Sequence, residues 1–97
     1  MENQNNTREA MLETCEDLLF LEPAEQFDGC IVGVVERFNE CFVAYDRAKV
    51  IQAYMSDGMS EEDAEEFFSF NVLGAWVGEC TPCFIDTARM PGYLAAN

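Results

Sequence analysis

The chain contains no histidine, which removes imidazole from the roles it commonly fills: general base, triad member, metal ligand and switch near neutral pH. Bases are scarce too, five against nineteen acidic residues, for a formal charge of −14. A surface this acidic repels phosphate, so neither nucleic acid nor an anionic membrane is expected as a direct partner, and a basic protein surface is. No run reaches the roughly 18 apolar residues of a membrane-spanning helix, and the N-terminal MENQNNTRE has neither the basic nor the apolar region of a signal peptide. A cytoplasmic protein is expected. The five cysteines are odd in number and lack framework spacing, which suits reduced thiols better than structural disulfides.

What is present is apolar enough to fold. At 49% hydrophobic and 12% aromatic, the chain is far from the composition of a disordered acidic tail, and its 97 residues suit one domain, 1–97, with a modest core. Residues 1–6 are polar and expected to fray. Thr7 can cap a first helix with an apolar stripe of Ala10, Met11, Cys15, Leu18 and Leu19, which Pro23 ends at or before Glu22. The run GCIVGVVERF over 29–38 is β-branched and apolar on both alternations, the pattern of a strand covered on both faces, and is expected in the sheet interior. Asn39-Glu40 separates it from CFVAY, so an antiparallel hairpin is expected. Asp46 then caps a second helix that stops at Ser56-Asp57-Gly58, and Ser60 caps a third starting at Glu61. Pro82 bars further helix, and Cys83, Phe84 and Ile85 suit a short third strand. The expected class is α+β: an antiparallel sheet of about three strands against two to three helices.

At 100° per residue the helix from Glu61 places Ala64, Phe67, Phe68 and Asn71 on one side and Glu61, Glu62, Glu65 and Glu66 on the other, with Asp57 and Asp63 beside them. Such a row is commonly just a solvated face. A charge of about 2 to 8 suffices for the solubility of a small domain, however, and this chain is well beyond it. Carboxylates spaced along one surface can imitate a phosphate backbone and occupy the Lys/Arg channel of a nuclease or repressor, and Glu9, Glu13, Glu16 and Asp17 can extend that field.

Cys80 and Cys83 form a Cys-x-x-Cys, with Cys30 and Cys41 on the hairpin as third and fourth ligands of a zinc site. Such sites show two tight pairs, and Cys30 with Cys41 is not one, so no metal and no cofactor is expected. Cys15 reads as core. Trp76, among Gly74, Gly78 and Pro82, either closes the core or anchors a recognition loop. Carboxylate catalysis needs one desolvated acid beside one solvated one, and every acid here reads as exposed, so no enzyme is expected.

The order Tyr45-Asp46, a short helix, then Asp57 to Ile85, about 40 residues by eye, resembles a group of small bacteriophage and prophage proteins. The residues that carry the resemblance are Asp57, Gly58, Met59, Ser60, Glu62, Ala64, Phe68, Phe70, Asn71, Gly74, Ala75, Trp76, Gly78, Glu79, Thr81, Pro82 and Phe84. Asp63 stands where the group usually has a second Glu, and its pattern fixes nothing at Cys80 or Cys83. The resemblance implies an α+β fold and a phage setting, where many small proteins inhibit host defence. The expected function is an acidic interaction protein of anti-CRISPR or anti-restriction type that blocks a nucleic-acid-handling host enzyme. A small structural or regulatory accessory with incidental acidity, and a cysteine-based zinc module, are the alternatives. The sequence leaves self-association open.

Overall fold

The computed structural model describes residues 4–75 and 77–89. Helices α1 (Gln4–Thr14), α2 (Ala24–Phe27), α3 (Arg47–Ser56) and α4 (Glu61–Phe67) pack with strands β1 (Ile31–Arg37), β2 (Glu40–Asp46) and β3 (Cys83–Ile85) in an α+β arrangement. Both caps after the hairpin form where the sequence places them. Asp46 Oδ1 accepts from the backbone N–H of Ala48 and Lys49 at 3.0 and 3.3 Å, and Ser60 Oγ accepts from that of Asp63 at 3.1 Å. Between them Gly58 takes φ 112°, which a side chain would resist.

The sheet is organised around a different strand from the one its pattern suggests. Its order is β1-β2-β3, so β1 is an edge strand and not the interior one, and Val32, Val34 and Val35 remain 58%, 38% and 37% exposed. A β-branched run suits any pleated surface and does not specify what covers it. The central strand is β2, whose Val43, Ala44 and Tyr45 are buried. β3 pairs with it in parallel, from Ala44↔Cys83 to Asp46↔Ile85, and this makes the sheet mixed where all-antiparallel pairing was expected. Parallel neighbours need a long crossover, and α3 and α4 provide it. The hairpin turn is Phe38-Asn39, one residue earlier than expected, with Phe38 at φ 57°. That shift puts Glu40 in the ladder opposite Arg37, 3.6 Å from its guanidinium.

The core joins Val43 and Tyr45 of β2 to Val50 and Ile51 of α3, Ala64 of α4, and Phe68, with Leu18, Phe27 and Cys30 closing it. Phe68 meets Phe84 edge-on at 4.9 Å. Phe67, which helical spacing puts on one side with Ala64 and Phe68, stays 37% exposed and meets the Tyr54 ring edge-on at 5.0 Å. After α4 the backbone widens into a π-helical turn, Phe68–Leu73.

The N-terminal third departs most from expectation. α1 begins at Gln4, so residues 4–6 are helical and Thr7 lies inside the helix. It ends at Thr14, whose hydroxyl donates back to the Met11 carbonyl at 2.8 Å, and Leu18 reaches the core from outside any helix. Arg8 Nε donates to both oxygens of Asp28, at 2.9 and 3.0 Å, and the Asp28 side chain is 1% exposed. Among the described residues Asp28 is the one buried acid, where every acid was expected to be exposed.

Tyr45 fastens the segment after α1 to the sheet, its hydroxyl oxygen accepting the Leu21 N–H at 2.9 Å. Burial pushes its phenol from the usual 10 up to about 12, against a smaller lowering by that hydrogen bond. A raised folded value means the phenol's contribution is intact below pH 10 and lost as pH climbs toward 12. Tyr54 is displaced the same way by burial. The denaturant midpoint is therefore expected to hold steady to about pH 9.5 and to fall over the next two units. Tyr45→Phe should remove much of that fall, at the cost of the Leu21 bond, and an identical decline in the variant would refute the assignment.

Candidate protein-interaction face

The α4 carboxylates do not form the uniform row that helical spacing suggests. Glu65 is half-buried and held by Arg47, at 2.7 Å to one oxygen and 3.5 Å to the other. Arg47 also stands 3.9 Å from Asp86 and 5.0 Å from the Phe68 ring centre, so it links the start of α3 to α4 and to the chain after β3. Glu61 borders the same hollow as Arg47, Glu65 and Asp86. Glu65 thus already has a cation beside it, although it also lines the hollow of Glu62, Glu66 and Phe70. Asp57, though exposed, accepts a 2.6 Å hydrogen bond from Gln26 and so ties the α3 stop to α2. Trp76 lies outside the described residues.

Glu62, Asp63 and Glu66 are exposed, and no basic side chain meets them among the described residues. All four arginines face other carboxylates: Arg8 on Asp28, Arg37 on Glu40, Arg47 on Glu65 and Arg89 on Asp86. Glu61, Glu62 and Asp63 sit in the first turn of α4, where negative charge also favours the helix. The sequence reading missed Phe70. It is 76% exposed, and it lines hollows with Glu62 and Glu66 on one side and with Met59, Asp63 and Glu66 on the other. Spacing gives little warning of this, because the π turn changes the angle between successive side chains beyond Phe68.

Glu9 and Glu13 lie exposed on α1, while Glu16 and Asp17 follow it and border a separate hollow with Glu40, Glu79, Cys15, Cys41 and Cys80. Among the residues lining that hollow there is none from α4.

The cysteines are a second correction. Cys15 and Cys41 are joined as a disulfide, with Cα atoms 6.7 Å apart, where free thiols were expected. The pairing joins positions 26 residues apart, with nothing local to signal it. Cys30, Cys80 and Cys83 are free, and burial raises the thiols of Cys30 and Cys83. Among the described residues no group of three or more Cys, Asp or Glu is placed to hold a metal ion. Alkylation of the denatured, unreduced protein should therefore modify Cys30, Cys80 and Cys83 alone. Modification of all five cysteines in an oxidised sample would contradict the pairing.

No family model, curated protein or solved structure matches the chain. Among the described residues no helix is long and apolar enough to cross a membrane.

Proposed function

We propose that the protein is an interaction protein, not an enzyme, and that it inhibits a nucleic-acid-handling host defence enzyme by presenting carboxylates to that enzyme's basic surface. The observation that carries this reading is the exposed group of Glu62, Asp63 and Glu66, which no basic side chain meets among the described residues, on a chain whose arginines are all engaged elsewhere. An electrostatic field of this kind speeds encounter with a cationic groove and competes there with phosphate. The phage setting implied by the resemblance supports host defence as the process. The acids with structural partners, Asp28, Glu65 and Asp86, are set apart from the binding group by those contacts.

The test is comparative. Wild-type protein and a Glu62→Gln/Asp63→Asn/Glu66→Gln variant are each used to capture proteins from a bacterial host lysate, and each captured enzyme is then assayed for nucleic-acid binding with and without the bait. The reading expects a nucleic-acid-binding protein that is retained by the wild type, lost from the variant and displaced from its nucleic acid by the wild type only. Equal capture by both baits would refute it.

A further inference from the structure

Three hollows lie side by side along α4 and the π turn, with side chains they share dividing them. The one beside Glu62 shares Glu66 and Phe70 with the one beside Asp63, which in turn shares Phe67 and Asn71 with a third hollow of about 300 Å³. The walls of that third hollow are largely apolar, with the rings of Phe20, Tyr54, Phe67 and Phe84 around it. Side by side they make a shallow groove, acidic at one end and apolar at the other, crossed by those shared side chains.

We infer that this groove binds a short extended protein segment that is rich in Lys and Arg and carries one large apolar side chain. The inference rests on the α4 face being the binding face and adds the kind of segment bound there. Its apolar side chain enters the third hollow, whose size is at the lower end for a ligand site and suits one such group. Its cations lie along Asp63, Glu66 and Glu62. Phe70, 76% exposed between those carboxylates, offers a ring face on which a guanidinium can stack. Asn71 is exposed at the junction of the two ends, where its amide can meet the backbone of an extended strand. A helix would present several apolar side chains along one face, and the hollow takes one. A second copy of this chain would bring the same excess of negative charge to the acidic end, and nucleic acid is repelled for the same reason.

The experiment uses fluorescence anisotropy with three labelled synthetic peptides on the whole protein. The first alternates Lys and Arg around a central Trp, the second replaces the Trp with Ser, and the third keeps the Trp but replaces every base with Gln. The Trp-containing basic peptide should bind at least about tenfold more tightly than either of the others, a difference of about 1.4 kcal/mol. Asn71→Trp, at an exposed position, should plug the junction and erase the advantage of Trp over Ser, and the loss of the Asn71 amide should weaken both peptides. Ala75→Trp, at an exposed position on the rim of the third hollow, is the second plug should the first disturb the fold.

Equal binding of the Trp and Ser peptides, or plugs without effect, overturns the groove yet leaves a purely electrostatic α4 face standing. Failure of the basic peptides to bind at all also overturns it. Peptide binding that follows the expected order, together with host-protein capture unaffected by loss of the carboxylates, would sink the proposed function and keep the groove.

Discussion

Replacing Arg8 with methionine should lower stability by roughly 3 to 5 kcal/mol, the usual penalty for leaving one member of a buried ion pair behind. The Asp28 side chain is 1% exposed and receives Arg8 Nε on both oxygens, so the variant strands a carboxylate where water cannot solvate it. The Arg8 contact to Glu25 adds little, because it is 4.0 Å long and Glu25 is 78% exposed. For a domain whose total stability lies in the range of about 5 to 15 kcal/mol, that loss is a large fraction. In thermal unfolding followed by circular dichroism the midpoint should drop by roughly 15 to 30 °C. Adding Asp28→Leu to the same chain should recover much of it, since an apolar pair needs no solvation. A drop of only a few degrees in the single variant would show that water reaches Asp28 and that the pair does not anchor α1.

The other large effect concerns binding. Converting Glu62, Asp63 and Glu66 to their amides takes the formal charge from −14 to −11, that is −14 + 3. If these three side chains meet cations, affinity for the captured partner should fall roughly 100-fold or more, at about 1 kcal/mol for each ion pair removed. Amides are a better choice than lysines here. Glu62 and Asp63 occupy the first turn of α4, where reversed charge would oppose the helix dipole and confound binding with folding. Ser60, which caps that turn, is left in place. Glu65→Gln is the matching control: it loosens the link to Arg47, so it should cost stability and leave capture unchanged. Should Glu65→Gln abolish capture while the triple variant does not, the binding face lies on the Arg47 side of α4.

The parts of this molecule that could be read from the sequence are those decided within a few residues. Asp46 and Ser60 bond to N–H groups two or three positions ahead, and Gly58 supplies its own backbone freedom, so both caps and the turn between them were legible. The hairpin was legible for the same reason, to within one residue of its turn. Strand order was not. The Ile31–Arg37 run fits an edge or a centre equally, and the choice is made by β3, which arrives only after the α3 and α4 crossover and pairs with β2. The Arg8–Asp28 pair joins positions twenty residues apart, and Cys15–Cys41 positions twenty-six apart, with nothing local to signal either. At the candidate site, helical spacing found Glu62 and Glu66 but could not see that Arg47 would claim Glu65, nor that the π turn would leave Phe70 in solvent among the acids.

The central claim is that exposed carboxylates on α4 hold a basic partner, and salt dependence tests it most directly. The affinity of the captured partner for the wild-type protein and for the Glu62→Gln/Asp63→Asn/Glu66→Gln variant should be measured from about 50 to 200 mM salt, a range over which screening of exposed charges changes strongly. The account predicts a steep fall in log affinity against log salt for the wild type and a clearly shallower line for the variant. Two lines of equal slope and equal affinity would contradict it.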